Sequence, residues 1–150
     1  MSTTGFRARQ LAKALVFMTV LTACQPGSRL PSSELSGLRV TAVSAAIHDP
    51  NSADASRFPD ACDHWTLTPE QVEAFFALST EMDSRAYHHE YDTAPCMIEG
   101  ELVDDDREWA FHINGAAKGY WSDGSDTRYF GCTAAACDSL VLVPHIGMDP

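Results

Sequence analysis

Trp109, Phe111 and Ile113 alternate with Glu108, Ala110 and His112. A period of two places the three large apolar side chains on one face of a strand. The same alternation, less regular, predicts a first strand at Leu38–Val43 and another over Cys96–Val103. Gly119-Tyr120-Trp121 and Thr127–Phe130 read as two further strands around the turn Ser122–Asp126. The apolar end, Ser139–Pro144, adds a last candidate strand. Asn114-Gly115 and the acidic run Asp104-Asp105-Asp106 mark turns.

One stretch has the other periodicity. Thr68-Pro69-Glu70-Gln71 is a helix start: Thr68 suits the cap, Pro69 the first helical position, and Gln71 completes a capping box. Val72, Phe75, Phe76 and Ser79, with Met82 one turn on, share a face, which predicts an amphipathic helix over 69–82. Cys62–Leu67 reads as a short extended piece before it. The polar span His48–Asp60, with Pro50, Asn51 and Pro59, reads as a loop. The expected architecture is α+β over residues 35–150: an antiparallel β-meander of about five strands with one amphipathic helix packed on one face.

The first residues follow a different logic. Arg7, Arg9 and Lys13 accompany an apolar run, Leu11–Ala23, too short to cross a hydrocarbon core of about 30 Å as a helix. Leu21-Thr22-Ala23-Cys24 then resembles the lipobox of bacterial lipoproteins. The resemblance implies that residues 1–23 are removed and that Cys24 carries acyl chains, which give a durable membrane anchor. Residues 24–34 are then a lipidated Pro/Gly/Ser-rich tether. Gln25, where an Asp would imply inner-membrane retention, points to the outer membrane, facing the periplasm.

Charge changes once that segment is set aside. Arg7, Arg9 and Lys13 are three of ten basic residues, so seven remain against 21 acids, a formal charge of −14. Such a surface repels nucleic acid and anionic lipid headgroups, and attracts a basic protein or a cation. Contact with the membrane is expected through the lipid anchor alone.

With Cys24 assigned to lipid, Cys62, Cys96, Cys132 and Cys137 form an even set in an exported chain, which predicts two disulfides. Three pairings exist. Four residues separate Cys132 from Cys137, so local closure is easy, and Cys62 with Cys96 is left. A four-cysteine metal site is excluded by the absence of paired C-x-x-C spacing.

Candidate chemistry is sparse. His48, His64, His88, His89, His112 and His145 form no ligand spacing, and His88-His89, read as strand neighbours, would face opposite ways. Asp104–Asp106 lacks the glycine and distal glutamate of a calcium loop and reads as a solvated turn. No serine lies in a nucleophile elbow, and no cysteine is left over as a thiol nucleophile. The chain is therefore expected to be no enzyme, with no cofactor and no metal. Trp109 and Phe130 read as core. Tyr120, Trp121 and Tyr129, flanking a turn beside Asp123 and Asp126, read as an aromatic surface with an acidic rim that receives a basic partner.

Cys62-x-x-Trp65-x-Leu67 before the helix, Pro95-Cys96-x-Ile98-x-Gly100, Trp109-x-Phe111-x-Ile113 and Tyr129-Phe130-Gly131-Cys132 together resemble small Gram-negative lipoproteins, some of which look like immunity proteins. That resemblance implies a protein that binds and neutralises an antibacterial effector. The alternatives are an envelope structural or assembly lipoprotein, and a small-ligand or cation carrier.

Overall fold

A computed structural model describes residues 37–49, 52, 60 and 62–146. The lipobox, Cys24 and the tether lie outside the described residues, as does most of the 50–61 loop.

The helix begins as its sequence dictates. Thr68 Oγ1 accepts from the Gln71 N–H at 3.3 Å, and Gln71 Oε1 accepts from the Thr68 N–H at 2.8 Å. The helix, α1, spans Pro69–Leu78 and not 69–82. Ser79 stops it by turning extended, while its hydroxyl donates to the Phe75 carbonyl at 2.8 Å. The freed residues Thr80–Met82 become strand β3 and pair with the strand Thr127–Gly131. A second helix, α2 at Ser84–His89, was not anticipated; the Asp83 carboxylate caps it by accepting from the Ala86 N–H.

Among the described residues the sheet has seven strands, more than the approximately five expected. In chain order they are β1 (Arg39–Val43), β2 (Ile47–His48), β3, β4 (Cys96–Asp104), β5 (Arg107–Asn114), β6 (Lys118–Ser122) and β7 (Thr127–Gly131). The antiparallel order is β1-β4-β5-β6-β7-β3, and β2 also lies along β4. The two extra strands are short edge pieces, below the length at which alternation can be read. Ser139–Pro144 forms no strand; a 3₁₀ helix at Ala135–Leu140 takes its place, within the loop that the Cys132–Cys137 bridge begins. Cys62–Cys96 is the other bridge, so both pairings follow the spacing argument.

Period two decides the two faces. Ile98, Leu102, Trp109, Phe111, Ile113, Trp121 and Phe130 are buried on one side. The Phe76 ring lies 5.8 Å from Phe111, 5.1 Å from Trp121 and 5.3 Å from Phe130, all edge-on. Such pairs add about 1 kcal/mol each beyond area burial. Gly119 permits this approach: a Cβ there would stand 3.3 Å from the Phe76 ring and 2.6 Å from the His112 carbonyl. A bulge between Val40 and Ala42 turns the Val40 N–H toward α1, where Glu73 accepts it at 2.9 Å.

Arg128 closes one side of this layer. Its guanidinium lies 5.0 Å over Trp121 and donates to Glu81 on β3 and Asp104 on β4. Asp104 is therefore an ion-pair partner, a correction to the solvated-turn reading. Asp105 and Asp106 do form the exposed turn, both in the left-handed region at φ 47° and 65°. A two-residue hairpin needs that conformation, and aspartate adopts it more readily than most residues.

Candidate functional site

The five residues expected to form one aromatic–acidic surface do not share a face. Trp121 is 0% exposed, in the core beneath α1, and cannot touch a partner. Alternation along β6 sends its neighbour Tyr120 to the opposite side. Asp123 and Asp126 sit at the β6–β7 turn. The Asp123 carboxylate accepts from the Ser125 and Asp126 N–H groups and from Arg107, which stacks 4.1 Å over Trp109. These bonds hold the Asp123 carboxyl well below the usual range, the Arg107 contact most strongly. The two aspartates shape the hairpin tip.

Tyr120 and Tyr129 belong to a different arrangement. On the sheet face away from α1, the register aligns Glu99 with His112, His112 with Tyr120, and Tyr120 with Tyr129. One row of side chains thus crosses four strands. His112 stacks on Tyr120 at 4.3 Å with the planes 18° apart. Its Nδ1 lies 3.0 Å from Glu99 Oε1, a contact that becomes an ion pair when the ring is protonated.

Helix α2 walls the row. It lowers Tyr87 to 4.9 Å from Tyr129 and 6.3 Å from Tyr120, ring centre to ring centre. The next row holds the polar floor. Asn114 and Lys118 face each other across β5 and β6. Lys118 is 4% exposed; its Nζ donates to Thr93 Oγ1 at 2.7 Å and the Tyr91 carbonyl at 3.4 Å, and rests 4.8 Å over the Tyr87 ring. Asn114 is a four-way clamp. Its Oδ1 accepts from the Ala94 and Ala116 N–H groups, and its Nδ2 donates to the Ala94 carbonyl and to the buried Asp49 carboxylate at 2.7 Å. These residues enclose a concavity of about 510 Å³.

Burial governs the electrostatics. Desolvation pushes the Lys118 pKa down, against the attraction of Asp49 and Asp92. It lowers His112 below its ordinary value despite Glu99 and Asp49, so the ring is neutral near pH 7. It raises Tyr87 and Tyr120, with nearby negative charge adding to the effect. The phenols therefore stay protonated.

Asp49, Tyr87, Glu99, His112, Asn114 and Lys118 were not singled out from sequence as a group. The available signal was the polar half of the alternation, since Glu99, His112 and Tyr120 are the strand positions opposite the apolar stripe. Tyr87 and Asp49 come from segments with no readable period. His88 and His89 lie on α2, not a strand, and His88 packs 5.2 Å from Tyr87. His145 stacks on Tyr91 at 4.4 Å beside a second hollow of about 610 Å³ that also touches His89, Glu90 and Asp92. Among the described residues no three His, Cys, Asp or Glu side chains converge as a metal site.

What the fold and this face define is a small, disulfide-stapled α+β domain with one helix-covered sheet face and one concave polar–aromatic face. No family model, no curated protein and no solved structure matches the chain.

Proposed function

We propose that the protein is an envelope-anchored immunity protein that binds and neutralises a basic antibacterial effector through the concave sheet face. It acts by binding, not catalysis, tethered at the outer membrane toward the periplasm. The observation that carries the reading is the Glu99–His112–Tyr120–Tyr129 row, which α1 leaves uncovered and α2 borders. Half-buried tyrosines in a concave, partly desolvated setting are the composition of protein-binding centres. The acidic excess of the mature chain supports a cationic partner and rapid, salt-sensitive capture. The lipobox-like segment supports the location, since effectors that act on the cell wall must cross that space.

A deletion strain competed on a surface against its effector-delivering parent tests this. The deletion strain should be eliminated, and the wild-type gene in trans should restore survival. Equal survival with and without the gene contradicts the proposal.

A further inference from the structure

We infer that α2 and its caps, Asp83–Glu90, form a hinged flap over the concavity, fastened by Tyr87, and that its opening uncovers the face on which the partner docks. The docking clause rests on the proposed function; the flap itself does not.

Both ends of this segment are pinned, and they are pinned at one place. Upstream, Thr80–Met82 pairs with β7, with Met82 set against Tyr129. Downstream, Lys118 Nζ donates to the Tyr91 carbonyl and to Thr93 Oγ1, and the Asn114 amide holds Ala94 by both its N–H and its carbonyl. The Tyr91 ring is also stacked on His145. The two ends meet over Gly131, where the space that a Cβ would take is filled by Met82 Cε and the Tyr91 ring. The eight residues between, Asp83–Glu90, thus leave the sheet and return to it at the same point. Compact loops with close ends open as local units, without unfolding what they are attached to.

What lies between the ends is mostly outside. Of the eight residues only Tyr87 is buried; Ala86 is half-buried and the other six are exposed. A helix of six residues is too short to hold its shape without tertiary support. The capping bond from the Ala86 N–H to Asp83 lies within the segment and moves with it. The Tyr87 ring is therefore the fastening. It packs 4.9 Å from Tyr129 and 6.3 Å from Tyr120, and the Lys118 ammonium lies 4.8 Å over it. His88 adds a looser contact from an exposed position, 6.4 Å from Tyr129. Withdrawal of Tyr87 leaves Lys118 bonded to Thr93 and the Tyr91 carbonyl, and leaves β3 paired with β7. The sheet stays closed, and Tyr120 and Tyr129 lose their cover.

The test uses the full chain in detergent micelles with both disulfides formed. Hydrogen exchange read by NMR should find the Tyr87 and Glu90 amides, bonded to the Asp83 and Ala86 carbonyls, exchanging roughly a hundredfold faster than those of β5 and β6. Low urea should not change their rate, because a local opening exposes little surface. Relaxation dispersion should give the Tyr87, Tyr120 and Tyr129 rings one shared rate, since departure of the first ring alters the shielding of the other two. Tyr87→Ala should shift the Tyr120 and Tyr129 signals toward their open positions. It should also speed trypsin cleavage after Arg85, the segment's one basic residue, about tenfold, the scale of a lost aromatic pair and cation–π contact. Tyr87→Phe, which keeps the ring, should leave both unchanged. Exchange of the α2 amides only in global unfolding, local exchange with static Tyr120 and Tyr129 rings, or equal cleavage of wild type and Tyr87→Ala would each overturn the inference. If Tyr87→Ala does not fold, the wild-type exchange and dispersion decide alone. Failure here with effector protection intact removes the flap alone; a moving flap in a protein whose deletion leaves survival unchanged removes the immunity role alone.

Discussion

Asn114→Ala is the sharpest perturbation the structure offers. The Asn114 side chain is the acceptor for two backbone N–H groups, of Ala94 at 2.8 Å and Ala116 at 3.0 Å, both in buried residues. It is also a donor to the Ala94 carbonyl at 3.0 Å and to Asp49 at 2.7 Å. Truncation leaves two buried N–H groups without an acceptor at roughly 1–3 kcal/mol each, and removes a donor from a buried carboxylate. The expected loss is about 4 kcal/mol, a large part of the total stability of a domain this size, roughly 5–15 kcal/mol. Urea unfolding followed by tryptophan fluorescence measures it, because Trp65, Trp109 and Trp121 are all buried. Asn114→Asp separates the acceptor role from the donor role. It keeps an acceptor for both N–H groups but sets a carboxylate against Asp49. The pair must share a proton, so the folded pKa of one partner is raised above its unfolded value. Its stability is then present at low pH and lost as pH rises through that raised value. Asn114→Asp should therefore gain strongly on the wild type between pH 7 and pH 4, and Asn114→Ala, which only takes a donor from the Asp49 carboxylate, should gain less. A cost below 1 kcal/mol for the alanine variant, or parallel pH profiles for wild type and Asn114→Asp, would refute the clamp.

Three further outcomes follow from the same geometry. His112 has a lowered pKa because of burial, so its stabilising contribution is present above its unfolded value and lost as pH falls through the folded one; His112→Gln should flatten the decline in urea midpoint from pH 8 to pH 5, and an equal slope would disprove the assignment. The bridges close loops of 34 and 5 residues, so the chain-entropy relation expects replacing Cys62–Cys96 by alanines to cost about 4 kcal/mol and replacing Cys132–Cys137 about 2 kcal/mol; the reverse order in urea unfolding would contradict this. A Cβ at Gly100 would fall 2.0 Å from the Ala42 carbonyl and 2.6 Å from the Phe111 ring, so Gly100→Ala should cost about 3 kcal/mol and lower Tm by roughly 10 °C, whereas an unchanged melt would mean that β1 can move.

The core was legible because its signals are local. Trp109, Phe111 and Ile113 alternate over a long strand, and Thr68 to Gln71 contains a complete helix start. The cysteine spacing favoured local closure of Cys132 with Cys137 among three possible pairings, and the structure decides for it. What could not be read depends on register and on short segments. Nothing local says that Glu99, His112, Tyr120 and Tyr129 align across four strands, because pairing is set by hairpin turns far from those positions. Trp121 looked like surface because it flanks a polar turn, but β6 runs to Ser122 and its alternation sets Trp121 opposite Tyr120, on the core face. Asp123 and Asp126 looked like a rim because acidic turn residues usually face water; their role in holding Arg107 and the turn backbone needs the third dimension. Strand β3 was hidden inside an apparent helix, since Met82 continues the helical face of Phe75 and Ser79 although Ser79 ends the helix.

The central claim, that the tyrosine-lined sheet face is what protects the cell, is tested most directly by complementation. The deletion strain, carrying wild type, Tyr120→Ala/Tyr129→Ala or Asp123→Asn at equal expression, is competed against the effector-delivering parent. Wild type and Asp123→Asn should restore survival and the double tyrosine variant should not. Full protection by a folded double tyrosine variant would contradict the account.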